Sequence, residues 1–216
     1  MALGVDGVCA ATLRYACTPE ALAQLSADNR HRYPRRNASL VRQIDFLAGR
    51  TCAERALHRA GLAMPAAIGT GSHGEPLWPP GFRGSISHGD GLAIAIVARE
   101  SRAGRLGVDV QTRIEPGVAA EIRGRIATPE ELALCAPAMD DAWLTLVFSA
   151  KESLFKALFP QVGTYFEFLD ATLCAVHDAR LTLRLNTTLS PQHVRGRCYD
   201  VVYGWMGTHA WTCCCA

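Results

Sequence analysis

The stretch DAWLTLVFSAKESLFKALF, residues 141–159, decides how the rest of the chain is read. At 100° per residue, Trp143, Val147, Ala150, Leu154 and Leu158 fall on one stripe. That spacing predicts a helix laid against a core and stopped by Pro160. Glu152 and Lys156 project from the opposite face, one turn apart. On a solvated helix they are an ordinary i,i+4 ion pair, worth roughly 0.2–0.5 kcal/mol. Here Phe148, Phe155 and Phe159 flank Glu152 on the same side, which is odd for a face meant for water. A carboxylate and an ammonium among aromatics point to a second packed surface, and burial of that kind makes a glutamate usable as a general base.

Downstream of this helix, residues 171–176, 181–185, 199–205 and a segment near Ala210 read as strands. Upstream, Thr128-Pro129-Glu130-Glu131 announces a helix with an N-cap, a proline at the first position and a capping-box glutamate. Before it, Arg105–Gln111 alternates Leu106, Val108 and Val110 against Asp109 and Gln111. Aspartate is disfavoured in strands, so Asp109 invites an explanation. A metal ligand with Gln111 as a neutral oxygen beside it is one; solvent or a helix N-terminus is another.

Further upstream, Gly89-Asp90-Gly91 joins two strand-like runs into a hairpin. Residues 61–84, rich in Gly and Pro, predict an ordered loop. Residues 38–60 carry a helical stripe of Leu40, Ile44, Leu47, Ala48, Cys52, Ala56 and Leu57, with Gly61 as its stop. The segment Ser85-Ile86-Ser87-His88 offers hydroxyl, imidazole and neighbouring glycine amides to a phosphate, although a lone histidine is more often structural. It lacks the setting of a hydrolase nucleophile, and the chain has no Walker-type loop. Each half thus pairs a long helix with antiparallel strands, and the expected fold is α+β in two similar α/β modules, residues 1–103 and 104–216.

Composition narrows the class. Of 216 residues, 49% are hydrophobic and 19% charged, ordinary for a soluble enzyme. No run approaches the ~18 apolar residues of a membrane span, and Met1–Ala11 has no signal-peptide pattern, so the cytoplasm is expected. A net charge of +2 does not argue for nucleic acid. Of 22 basic residues only Lys151 and Lys156 are lysines, which leaves 20 arginines. Two lysines five residues apart in an arginine-using chain hint that an ammonium, able to shift its pKa, is needed there. The nine cysteines include no C-x-x-C pair and read as reduced thiols rather than a zinc site.

Taken in order, Gly74-Glu75-Pro76-Leu77-Trp78-Pro79, Gly84-Ser85-Ile86-Ser87-His88, Gly107-Val108-Asp109 and Phe148-Ser149-Ala150-Lys151-Glu152-Ser153-Leu154-Phe155-Lys156 resemble the larger, surfactin- and enterobactin-type 4′-phosphopantetheinyl transferases. Phe46-Leu47-Ala48-Gly49-Arg50 agrees with the enterobactin branch. Together these motifs span residues 46–156, about half the chain. The resemblance implies a pseudo-two-fold pair of modules with coenzyme A bound between them. It implies transfer of the phosphopantetheine arm to a serine of an acyl or peptidyl carrier protein, with release of 3′,5′-ADP, in siderophore or other secondary-metabolite biosynthesis.

It also implies roles for particular residues. Asp109 and Glu152 would hold Mg²⁺ on the pyrophosphate, and Glu152 would accept the carrier serine's proton. Lys156 would neutralise or protonate the leaving group, and Lys151 would add positive charge. Arg50, Ser87 and His88 would hold the 3′-phosphate and ribose, with Gly74 and Pro76 shaping the adenine wall. Two departures stand out: Gln111 replaces a third acid found in many relatives, and Glu75 replaces a lysine common in the surfactin branch. Gln111 remains a candidate third metal ligand, without charge. Carrier proteins are generally acidic, so Arg32, Arg35 and Arg36 are candidates for steering them. A monomer is expected, because two internal halves supply what a dimer would. Two alternatives stay open: a Mg²⁺-dependent nucleotide or phosphate-ester enzyme using the same acids, and a non-catalytic module that binds carrier proteins.

Overall fold

Seven residues in a row, Leu92–Ala98, are buried on both faces, and they belong to the middle strand of a three-stranded sheet. The computed structural model describes residues 3–28, 38–63, 67–134 and 140–216. The chain divides into two compact units, Met1–Gly104 and Arg105–Ala216. Both combine helices with antiparallel strands, so the fold is α+β.

The first unit runs β1 (Cys9–Arg14), α1 (Pro19–Asp28), α2 (Leu40–Arg59), β2 (Gly69–Thr70), β3 (Pro76–Leu77), β4 (Phe82–Gly89) and β5 (Leu92–Arg99). Its sheet has the order β1-β5-β4, with α2 packed on all three strands. Ser39 caps α2, its hydroxyl accepting from the Arg42 N–H, and Gly61 at φ +89° ends it. The β4–β5 hairpin turns on Asp90 (φ 49°) and Gly91 (φ 78°), both left-handed as a two-residue turn requires. The 61–84 segment is more regular than expected: β2 and β3 pair within it, and β4 already starts at Phe82. A two-residue ladder carries no period for a sequence reading to detect.

The second unit runs β6 (Leu106–Thr112), α3 (Pro116–Ile126), α4 (Pro129–Ala133), α5 (Asp140–Val162), a 3₁₀ turn (Phe168–Asp170), β7 (Ala171–His177), β8 (Arg180–Leu185), β9 (Cys198–Met206) and β10 (His209–Cys215). The sheet order is β6-β10-β9-β8-β7, and α5 lies on β6 and β10. The expected stripe of α5 is buried throughout. Pro160 does not stop the helix: this late in α5 it removes one donor only, and the turn closes when Gly163 N–H donates to Phe159 O at 2.9 Å. The stop is Gly163 itself, at φ +71°. The Thr128 capping box is present as expected. Among the described residues no helix is long and apolar enough to cross a membrane.

Candidate active site

The chemistry of the second unit depends on how closely α5 approaches β6. Gly107 makes that approach possible, since a Cβ there would lie 1.8 Å from Ser153 O and 2.7 Å from Ala157 N. Period two then turns Asp109 toward the same helix. Directly opposite Asp109 in the ladder, Thr212 anchors the helix by donating its hydroxyl to Ser149 O at 2.8 Å. Lys156 Nζ donates to Asp109 Oδ1 at 2.7 Å and to Val108 O at 3.1 Å.

Glu152 sits half-buried one turn before Lys156. Burial raises its carboxyl above the usual glutamate range; the Lys156 charge pulls it back and the Asp109 carboxylate pushes it further up. Asp109, Glu152 and Lys156 therefore share one electrostatic neighbourhood. Gln111 follows Asp109 on the same strand face, its Nε2–H donating to Thr112 O at 3.2 Å. Beside Glu152 lies a small recess of about 80 Å³ that includes Phe155, Tyr165, Phe166 and Phe168. Phe155 is its hub, with ring centroids 4.8 Å from Tyr165 and 5.1 Å from Phe166. Of the aromatics expected around Glu152, Phe155 lines the recess with it, Phe148 and Phe159 pack on Phe168 and Phe155, and Tyr165, Phe166 and Phe168 are added from the segment after α5.

Lys151 lines the same recess as Glu152 and is bound on its inner side. Its buried Nζ forms a 2.7 Å ion pair with Glu131 Oε1 and donates to Ile126 O at 2.7 Å. Glu131 is buried as well, and its two oxygens accept from Leu173 N–H at 2.7 Å and Thr128 N–H at 2.9 Å. Burial lowers the Lys151 pKa, partly offset by the Glu131 carboxylate. This ammonium ties α5 to the end of α3, the α4 cap and β7. The capping motif at Thr128 was legible; that its glutamate also holds a lysine 20 residues on was not.

In the first unit, α2 gathers the other expected residues. Arg50 is 3% exposed, lies 4.9 Å from the centroid of the Phe46 ring, and donates from Nη2 to Thr70 Oγ1 at 2.9 Å. Its Nε and Nη1 are buried and meet no acceptor among the described residues. Burial lowers its pKa to about 10. Thr70 pairs with Pro76 across β2–β3, and Gly74 (φ +88°) shapes the turn between them. Ser87 and His88 end β4, with Ser87 buried and His88 about one-third exposed. Gly49 lets that strand come close, since a Cβ there would lie 2.8 Å from Ile86 Cγ2. His88 Nδ1 is 3.6 Å from Asp45 Oδ2, and Asp45 gave no sequence signal because it sits within an ordinary helical stripe. Arg32, Arg35 and Arg36 lie outside the described residues.

The oxygen donors at β6 and α5 are two carboxylates and an amide, a set suited to a hard cation such as Mg²⁺ rather than to a soft metal. Among the described residues no three His, Cys, Asp or Glu side chains gather as a metal site, and the described cysteines are all free thiols. Cys135 lies outside the described residues.

Residues 30–98 match the 4′-phosphopantetheinyl transferase N-terminal domain, and residues 105–214 match the 4′-phosphopantetheinyl transferase superfamily. The 4′-phosphopantetheinyl transferase Svp of Streptomyces mobaraensis is 36% identical over 158 residues, 68% of this chain and 62% of that protein. Enterobactin synthase component D of Escherichia coli O157:H7 is 40% identical over 137 residues, 62% of each chain. The 4′-phosphopantetheinyl transferase PptT of Mycobacterium tuberculosis is 35% identical over 133 residues, 60% of this chain and 57% of that protein. The chain thus spans about three-fifths of the length of the curated relatives it matches. With a superfamily match over half its length and the Asp109, Glu152 and Lys156 group inside that match, this chain belongs to the 4′-phosphopantetheinyl transferase superfamily.

Proposed function

We propose that this chain transfers the 4′-phosphopantetheine arm of coenzyme A to a serine of an acyl or peptidyl carrier protein, with Mg²⁺ as cofactor and 3′,5′-ADP as the second product. The observation that carries this reading is Asp109, Lys156 and Glu152 gathered where α5 meets β6 beside an aromatic recess. In the reaction the serine Oγ forms a bond to the phosphorus bearing pantetheine, and the bond from that phosphorus to the bridging pyrophosphate oxygen breaks. Phosphoryl transfer of this kind asks a protein mainly for positioning and charge neutralisation.

Asp109 and Glu152, with Gln111 as a neutral oxygen, would hold the Mg²⁺. When bound, the cation supplies charge neutralisation at the pyrophosphate. Glu152, its carboxyl raised by burial, takes the proton released by the serine hydroxyl, directly or through water. Lys156 places an ammonium beside Asp109, where it neutralises or protonates the departing phosphate oxygen. The nucleotide end goes to residues of the first unit. Arg50 brings a guanidinium with two donors that meet no acceptor among the described residues, which suits the 3′-phosphate. Ser87 and His88 act with it, and Gly74 and Pro76 form the adenine wall. Lys151, held by Glu131, supports the helix that carries Glu152 rather than meeting the phosphates. We place the activity in the cytoplasm and assign a single chain as the working unit.

The test is release of 3′,5′-ADP from coenzyme A with and without an apo carrier protein. Release that needs both carrier and Mg²⁺ is expected. Release from coenzyme A alone would instead identify a phosphate-ester hydrolase that uses the same acids.

A further inference from the structure

His88 is backed by two residues that no motif singles out. Tyr15, just beyond β1, donates its hydroxyl to Asp45 Oδ1 at 2.6 Å. The other Asp45 oxygen, Oδ2, lies 3.6 Å from His88 Nδ1, an ion-pair separation and too long for a hydrogen bond. Asp45 is buried, and among the described residues no Lys or Arg forms an ion pair with it. Its negative charge is therefore directed at one imidazole.

The surroundings hold this arrangement. Tyr15 N–H donates to Gly91 O at 2.9 Å, docking the end of β1 on the hairpin turn three residues past His88. That docking needs Gly91, where a Cβ would lie 2.7 Å from Tyr15 O. One turn after Asp45, the bare Gly49 lets β4 approach α2, with the position of its missing Cβ 3.6 Å from His88 Cδ2. Burial and the bond to Asp45 raise the Tyr15 hydroxyl well above its usual range, so it serves Asp45 as a donor at every working pH.

Resting on the reading of His88 as a contact of the coenzyme A 3′-phosphate, we infer that Tyr15 and Asp45 are positioning residues that set the charge of that histidine. A carboxylate 3.6 Å from Nδ1 favours the protonated ring, whose positive charge an anionic ligand meets. Tyr15 occupies the second carboxylate oxygen, which keeps Asp45 from rotating away from His88. Together they make the protein select coenzyme A over its 3′-dephospho form.

The experiment is calorimetric titration of coenzyme A and of 3′-dephospho-coenzyme A, with Mg²⁺, into the wild-type protein and the Asp45→Asn, Tyr15→Phe and His88→Ala variants. Wild type is expected to prefer coenzyme A, and His88→Ala to lose that preference. Asp45→Asn, equal in size but uncharged, is expected to reduce the preference about tenfold, the scale of one charge-assisted contact, with 3′-dephospho-coenzyme A affinity unchanged. Tyr15→Phe, which keeps the ring packed, should give a smaller loss of the same kind. If His88→Ala abolishes the preference while Asp45→Asn and Tyr15→Phe keep it, or weaken both ligands equally, the positioning role is wrong and the His88 reading stands. If His88→Ala leaves the preference intact, the His88 reading fails and the positioning role falls with it.

Discussion

Two residues carry most of the proposed chemistry, and each makes a distinct prediction. Glu152 is raised by burial and opposed by Lys156, as suits a group that must both hold a cation and take a proton. Glu152→Gln removes the charge and the basicity but keeps the size. Carrier loading should fall by about 10²–10⁴-fold, the range general-base groups supply, with the melting temperature unchanged. Turnover near that of wild type would remove Glu152 from the chemistry. Gln111 stands on the Asp109 face of β6 with its amide N–H on Thr112 O. Gln111→Glu adds a charged oxygen there, so half-maximal activity should need less Mg²⁺. An unchanged Mg²⁺ titration would take Gln111 out of the metal's ligand set.

At the scale of elements, close approaches matter more than exposed charges. Gly107→Ala puts a methyl into the backbone of α5 at Ser153 and Ala157. Overpacking of this sort costs about 1–3 kcal/mol, and because the obstacle is main chain, α5 must move off β6 and carry Lys156 from Asp109. A lower unfolding midpoint with lost activity is expected, and a neutral outcome would mean the helix does not lie as described. A second joint closes the loop before β9. His193 Nδ1 accepts from the Tyr199 hydroxyl at 2.6 Å, and Nε2–H donates to Gln161 Oε1 at 2.9 Å. This bonding suits a neutral ring, and burial, then Arg197 and Arg105, hold its pKa below the usual 6.5. A histidine whose folded pKa is depressed contributes stability that is present above 6.5 and lost as pH falls below it. The thermal unfolding midpoint should therefore fall on acidification from pH ~6.5 to ~5, and His193→Gln should flatten that slope. An unaltered slope would place the titrating group elsewhere.

The elements readable from sequence were those with a period and a punctuation mark: α2 ended by Gly61, the hairpin through Asp90 and Gly91, the capped α4, and the stripe of α5. What stayed hidden depends on contacts between residues far apart in the chain. Glu131 meets Lys151 across 20 residues, and Tyr15 meets Asp45 across 30, with no local spacing to betray either. The pairing of Lys156 with Asp109 spans 47 residues; the order of motifs assigned both to one site but did not foretell the ion pair. Lys151 shows the limit of reading by residue type, because a lysine next to the candidate base belongs to a buried brace.

Across the whole molecule, the proposed roles divide between the two units. Arg50, Ser87 and His88 belong to Met1–Gly104, while Asp109, Glu152 and Lys156 belong to Arg105–Ala216. The family matches divide in the same way, over residues 30–98 and 105–214. The proposed phosphate-binding and proton-moving roles thus fall on different local folds, each using a glycine to bring a strand against its long helix: Gly49 in the first and Gly107 in the second. The central claim is the transfer itself, and the intact mass of an apo carrier protein tests it most directly. After incubation with this chain, coenzyme A and Mg²⁺, the carrier should gain the mass of one phosphopantetheine arm, and EDTA should prevent the gain. An unchanged mass across acyl and peptidyl carriers, with coenzyme A binding intact, would contradict the account and leave a carrier-binding module without catalysis.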